Sequence, residues 1–524
     1  MFWGTIQSIA TLCNSVSGLM KPVPFATNVN IYSYLMLKRA KSFLLENRTT
    51  KQTVAKNTFW LFFGTISSRL IKAGIIIYAA RVLGAADWGA FSYALSLAAF
   101  FTVFTDFGIS TVITRESAKD LSVQETYFST SIIIKLVMTA LSIIAFIALS
   151  PFIVKQKEVL ALLPIVILLV SLDGMRDFAA SLSRAWEKME VEAFIQIFTN
   201  IAIVIGGFIA LYATRTSYAL SVGYTIGVGI GMLAAFWPFR RYFKNLGKTF
   251  TPKLIKPILA ASWPIGMLGL MTATMLNTDT VMIGWFRSIA DVGYYAAAQR
   301  IMQIVFLIPG LLTTALFPSM MKFIDQREKF ESIIGRMIAI LALVAIPMTI
   351  GGVLLAKDIM HIVYGNAYLA GASSFVVMSL VFLPGFISPL LGNALFALSK
   401  ERKLIAYVLL GIAGNAIFNL LFIPVFGIVG GALSTLVNQT IITCYLYYKL
   451  KKEIDISIKG RFTGILIASI VLLMAVVLMS LVHLNSILTI IAGAVIYISI
   501  LATLKEPAFM ELAGPAMCRL KSTS

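Results

Sequence analysis

Histidine and cysteine are nearly missing from this chain. The two histidines, His361 and His483, lie far apart, and the three cysteines, Cys13, Cys444 and Cys518, are too scattered for a disulfide framework or a CxxC metal site. They read as ordinary free thiols. No Ser/His/Asp or HExxH pattern occurs, so the sequence offers no catalytic group and no metal site, and calls for no cofactor. The string Gly247-Lys248-Thr249 resembles the end of a phosphate-binding loop, but position 242 is Tyr where the first glycine belongs, which excludes ATP hydrolysis on that ground. The chain is not read as an enzyme.

Charge is also scarce. Charged residues make up 13% of the 524 positions, and the acidic share is smaller still, with 23 Asp and Glu against 43 Lys and Arg. Hydrophobic residues reach 59% and the mean hydropathy is +0.89, too apolar for a soluble globule of this length. The apolar stretches run to about 20 residues, enough to cross about 30 Å of hydrocarbon. They lack the alternation of barrel strands and so read as helices. The fold class is therefore all-α, a polytopic membrane protein.

Fourteen spans are expected, at 58–80, 89–110, 128–150, 159–180, 193–213, 218–239, 257–279, 292–317, 333–355, 369–392, 404–423, 428–448, 462–482 and 486–504. The charges between them test the map. Counting both tails, the loops on the side of the N-terminus hold 31 Lys and Arg and the opposite loops hold 6, with six more inside spans. Cationic loops stay in the cytoplasm, so both termini are expected there. The net charge of +20 is thus an orientation signal. The densest inner loops, Arg240 to Lys256 and Lys449 to Arg461, suit anionic inner-leaflet lipids and require no nucleic acid.

Residues 1–57 form a basic N-terminal extension without the pattern of a signal peptide. Met36 offers a second candidate start, and a loose cytoplasmic tail is the alternative. Asn47-Arg-Thr49 matches a glycosylation sequon that has no meaning on a cytoplasmic arm.

The chain looks like one unit written twice. Asp87-Trp-Gly-Ala-Phe-Ser-Tyr-Ala94 returns 204 positions later as Asp291-Val-Gly-Tyr-Tyr-Ala-Ala-Ala298. A weaker echo joins Ala185-Trp-Glu-Lys188 to Ala397-Leu-Ser-Lys400. Six spans separate the copies, and an even number preserves orientation, which gives parallel repeats about an axis along the membrane normal. The expected domains are an N-lobe of six helices at 58–240, a basic linker at 241–256, a C-lobe of six helices at 257–448, two appended helices within 449–504, and a tail at 505–524. Two pseudo-symmetric lobes suit alternating access.

Four motifs carry a family resemblance: A-R-V-L-G-A-A-D-W-G-A-F from Ala80 to Phe91, D-F-G-I-S from Asp106 with Arg115-Glu116, V-G-Y-Y-A-A-A-Q-R from Val292 to Arg300, and N-A-I-F-N-L-L-F-I-P-V-F-G-I-V-G-G-A from Asn415 to Ala432. They resemble the oligosaccharide and polysaccharide flippases of the multidrug/oligosaccharidyl-lipid/polysaccharide exporter superfamily. The resemblance covers about residues 57–504. It implies translocation of a polyprenyl-diphosphate-linked oligosaccharide across the cytoplasmic membrane, with a polysaccharide polymerase and glycosyltransferases as partners. The long N-terminal extension departs from the family pattern.

Physical chemistry gives these motifs a structural reading as well. Gly84, Gly89 and Gly293 belong to tight connections where glycine tolerates the backbone angles. Pro424 and Gly427 close one helix before Gly430-Gly431 opens the next, a hairpin with close packing. Asn415 and Asn419 lie one turn apart, placed for hydrogen bonds across helices or for substrate contact.

Charges inside spans carry more. Arg69, Lys72, Lys135 and Arg300 would each cost about 2.5 to 3.5 kcal/mol facing lipid, so they face the interior or pair. Basic residues in a cavity are what a diphosphate demands, and they are the candidate substrate-binding cations. Arg69 and Arg300 are expected to act on it together, each presenting a planar fork to phosphate oxygens. Asp106 and Asp279 are the candidate coupling or pairing carboxylates. Snorkelling to the interface is the alternative for Lys135 and Asp106, and an Arg300–Asp279 strut is the alternative for Arg300.

Three functional classes remain. A flippase fits best; an ion-coupled multidrug or cation antiporter of the same superfamily is second, since it would have twelve spans and carboxylates in its cavity to bind cations, and the excess of intramembrane cations argues against it. A membrane polysaccharide polymerase or glycosyltransferase is third, because the external loops here are short.

Overall fold

The structure is a computed structural model that describes residues 46–47, 49–456 and 462–512. The Met36 start, Cys13, Cys518, Lys459, Arg461 and most of both tails lie outside the described residues. Every regular element among the described residues is helical. Twelve helices there are long and apolar enough to cross a membrane, or 13 when a pair bent by 41° is taken as one span.

That bent pair, Asn366–Leu380 with Phe382–Ala397, covers the span expected at 369–392. The first two expected spans fall in one helical run, α1 (Thr50–Asp106), whose 57 residues would reach about 85 Å if straight. Gly84 breaks it, leaving helical geometry at φ 73° and ψ 176°. An L-residue with a side chain resists that angle; glycine adopts it freely. The helix also starts eight residues before the expected span, capped by the Thr49 side chain on the Gln52 N–H. Lys56, fully buried in its first turns, pairs with Glu190 at 2.9 Å.

The chain divides into two compact units: residues 1–76 with 98–270, and residues 77–97 with 271–524. In the first, α2 (Ile109–Lys119), α3 (Gln124–Ile153), α4 (Lys157–Ala185), α5 (Met189–Ala213) and α6 (Ser217–Phe236) follow α1. Ile109, Ile113, Phe128, Phe178 and Phe239 share an apolar core near one end of these helices. The basic linker is folded onto this core as two short helices, α7 (Arg240–Phe243) and α8 (Leu246–Thr249). Tyr242 donates to Gln124 Oε1 at 3.0 Å and Asn245 to Glu125 at 2.9 Å, so backbone that a free loop would leave to water is pinned to the start of α3.

Helix α9 (Ile255–Phe286) carries the chain into the second unit. There the eighth expected span is two helices, α10 (Ile289–Val305) and α11 (Leu307–Lys322), and α10 opens on a capping box between Ser288 and Asp291. Next come α12 (Arg327–Leu354), α13 (Ala356–Tyr364), α14 (Ala372–Leu380), α15 (Phe382–Ala397), α16 (Glu401–Phe426), α17 (Ile428–Lys451), α18 (Thr463–Leu481) and α19 (Ser486–Thr503). The final pair buries Ile465, Leu472, Tyr497 and Leu501 against α12, and the Tyr497 hydroxyl donates to Leu343 O at 2.9 Å.

The α16–α17 hairpin turns at Gly427, with φ 60°. Pro424 sits inside the last turn of α16, just before that turn. Arg287 donates to the carbonyls of Ile423 and Pro424 at this helix end, and the Ile423 carbonyl also accepts from the Gly427 N–H.

Candidate functional site

The charges inside the helices sort into two groups, one in each unit. In the first unit, Lys135 on α3 is fully buried, with its ammonium paired to Asp106 Oδ1 and lying 5.6 Å from the Phe178 ring. Asp106 ends α1, where Phe107 and Gly108 adopt left-handed angles that turn the chain into α2. Ser110, one turn on, donates to the same Asp106 oxygen. A buried ammonium has few options: removing its carboxylate would leave an uncompensated charge, at about 3 to 5 kcal/mol.

Asp106 faces a cavity of about 400 Å³. The other polar side chains of its wall are Thr102, Ser110, Thr111, Asp173, Asp177 and Arg184, with Phe107 and four glycines between them. Asp173 and Asp177 are one turn apart on α4, and Arg176 between them bridges both, at 3.1 and 2.6 Å. Arg184, further along α4, pairs with the buried Glu192 at 3.2 Å. Sequence reading missed the Asp173–Arg176–Asp177 group. The signal was present: three charges at i, i+3 and i+4 inside a stretch read as an apolar span share one helix face.

On α1, Lys72 is half-buried with its ammonium 5.7 Å from the Tyr224 ring, and Arg69 is exposed.

The second unit holds one buried carboxylate with an unusual set of partners. Asp279 of α9 is 4% exposed. Its Oδ1 accepts from Asn415 at 2.8 Å and Asn419 at 2.6 Å, and its Oδ2 accepts from Tyr295 at 2.8 Å and Thr435 at 2.7 Å. The four donors come from three other helices, α10, α16 and α17, so this carboxylate ties four helices together. A buried anion is tolerated where hydrogen bonds replace its hydration, and here four neutral donors do so.

Arg300 is half-buried on α10 and donates to Gln303 Oε1 at 2.9 Å. The Asp279 carboxylate that sequence reading offered as its strut is held by the amide and hydroxyl donors instead. Near Arg300, burial pushes the Tyr364 phenol up to about 12, with the arginine charge acting in the opposite direction. On the same unit Arg81 caps α13, donating to the carbonyls of Ile362 and Val363. His361 lines the open hollow beside it, and no cluster of three metal-binding side chains occurs among the described residues.

Together these features define a multi-pass helical membrane protein with charged groups buried inside two helical units, the architecture of a transporter. The chain belongs to the polysaccharide biosynthesis protein family, which it matches over residues 54–324. Among curated relatives, a probable flippase AglR of Haloferax volcanii is 25% identical over 72% of this chain and 80% of its own length. A probable low-salt glycan biosynthesis flippase, Agl15, from the same organism is 24% identical over 79% of this chain and 86% of its own. A putative O-antigen transporter of Shigella flexneri is 20% identical over 67% and 86%. Among solved structures, the lipid II flippase MurJ in an inward closed conformation superposes with a TM-score of 0.71, covering 85% of this chain and 98% of that one at 17% identity. An inward-facing multidrug transporter of the MATE family follows at 0.62, with 74% and 94% covered and 13% identity. At such identities the likeness is one of fold.

Proposed function

We propose that this protein is a flippase that carries a polyprenyl-diphosphate-linked oligosaccharide across the cytoplasmic membrane for surface polysaccharide synthesis, without covalent chemistry. The observation that supports this most is the length of the match to relatives named as flippases, which takes in about three quarters of the chain. The work is done by alternating access between the two six-helix lobes of the repeat, with both termini in the cytoplasm. Arg69 and Lys72 in the N-lobe and Arg300 in the C-lobe are the cations offered to the diphosphate, while Lys135 is engaged by Asp106. Inner-leaflet anionic lipids lie against the basic linker, and a polymerase and glycosyltransferases act before and after transport.

A second reading has an observation of its own. Counting intramembrane cations weighed against an ion-coupled antiporter, but Asp173 and Asp177 add carboxylates to the cavity at Asp106.

One experiment separates the two. A diphosphate leaving a cell with a negative interior moves down the potential, gaining about 2.3 kcal/mol per charge per 100 mV. In reconstituted vesicles the flipping of a lipid-linked oligosaccharide should slow when the voltage is collapsed. Control by a sodium or proton gradient with no effect of voltage favours the coupled antiporter.

A further inference from the structure

The cavity in the first unit is built for something other than phosphate. Three carboxylates face it, and the cations beside them are already engaged: Lys135 with Asp106, and Arg176 with Asp173 and Asp177. A phosphate site puts donors forward. This one puts acceptors forward.

Those acceptors have capacity left. Each carboxylate meets its nearest charged partner through Oδ1, which leaves Oδ2 of each to accept from a ligand. The side chains of Asp173 and Asp177 are 41% and 58% exposed, and that of Arg184 is 38% exposed, although all three sit on a helix that crosses the membrane. Ionised groups inside a span are held by water or by a ligand in a cavity. At about 400 Å³ the cavity falls within the range of small-ligand sites. The Thr111 hydroxyl and the Phe107 ring add a neutral donor and an apolar wall.

Open carboxylate oxygens, one guanidinium, a hydroxyl and a ring suit a molecule rich in hydroxyl donors. We propose that this cavity is a saccharide subsite, which takes the sugar nearest the lipid diphosphate: Asp173 and Asp177 accept from neighbouring ring hydroxyls and Arg184 donates to a sugar oxygen. The proposal rests on the flippase reading and deepens it, because the glycan is then read by the protein in addition to being carried through water.

The test uses the full chain in proteoliposomes with two substrates, the lipid-linked glycan extracted from source membranes and bare polyprenyl diphosphate. Initial rates are compared for the wild type, Asp177→Asn and Gly269→Ala. Asp177→Asn removes one charged acceptor and leaves the Asp173–Arg176 pair. Gly269→Ala narrows the cavity while keeping every charge, and the new methyl meets only Val103 Cγ1, at 3.7 Å.

The ratio of glycan-bearing to bare substrate rates should fall about tenfold in Asp177→Asn, the loss of one charge-assisted hydrogen bond, and severalfold in Gly269→Ala. An unchanged ratio in both variants, with the wild type active, overturns the subsite and leaves the flippase reading standing. An unchanged ratio with lost dependence on a sodium or proton gradient assigns the cavity to a coupling cation and also overturns it. If the wild type moves neither substrate, the flippase reading falls and takes the subsite with it.

Discussion

Gly89 and Gly293, 204 positions apart and equivalent in the repeat, pack against each other's copy of the motif in a reciprocal way. A Cβ on Gly89 would lie 2.0 Å from Ile289 O, and a Cβ on Gly293 would lie 1.9 Å from Ala85 O. Ile289 and Ala85 are themselves 204 positions apart. The two copies of the motif therefore meet through a local two-fold crossing inside the second unit, at a separation that only glycine permits. This explains why residues 77–97 group with the second unit.

Substitution at this crossing should be costly. Gly89→Ala and Gly293→Ala each force backbone apart, at about 1 to 3 kcal/mol, and the double variant should cost less than the two together because one displacement relieves both clashes. Gly310→Ala on α11 is the control: nothing lies within 4 Å of its new methyl, and the helix should gain about 0.5 to 1 kcal/mol. Thermal unfolding in detergent measures all four, and single variants as stable as wild type would contradict the crossing.

The Lys135–Asp106 pair predicts a rescue. Asp106→Asn alone strands a buried ammonium and should cost about 3 to 5 kcal/mol, seen as lost abundance in the membrane. Lys135→Met with Asp106→Asn removes both charges and should return abundance to near the wild-type level. If the double variant is as depleted as Asp106→Asn, the pair is not what the fold depends on there.

Long apolar runs made the helices legible, because backbone polar groups in hydrocarbon leave few alternatives to a helix. Each of the fourteen expected spans overlaps a helix. What stayed hidden was how the helices group and which charges meet. Gly89 and Gly293 read as turn glycines, since the partners are carbonyl oxygens 200 and 208 positions away. Asn415 and Asn419 could be placed on one helix face, but the acceptor they share, Asp279, comes from a helix far earlier in the chain. Asp173 and Asp177 were passed over because the surrounding run is apolar enough to absorb two carboxylates in any average.

Orientation follows from the loop charges and is open to a direct check. A reporter active only in the cytoplasm, fused after Lys248 on α8, should be on, and one fused after Lys357 at the start of α13 should be off. The 31 to 6 asymmetry of Lys and Arg is the basis. Reversed signals at either position would overturn the assignment of both termini to the cytoplasm.

Arg300 and Asp279 can now be separated by experiment, because the structure gives them different partners. Asp279 holds two asparagines, a tyrosine and a threonine, so Asp279→Ala leaves four buried donors without their acceptor. At roughly 1 to 3 kcal/mol for an unsatisfied buried group, that lesion should lower abundance whatever happens to transport. Arg300 lies half-buried on α10 and shares a hydrogen bond with Gln303. Its insertion into the membrane carries a cost that Leu would avoid, and a diphosphate contact would account for keeping it. Arg300→Ala should therefore abolish flipping while the protein is made and inserted at normal levels. Arg300→Lys should restore it only in part, since an ammonium keeps the charge but loses the planar fork. The effects of Arg300→Ala and Asp279→Ala on abundance should be independent. Recovery of both abundance and transport in the double variant would mean that the two residues balance each other, and Arg300 would then be a strut with no substrate role.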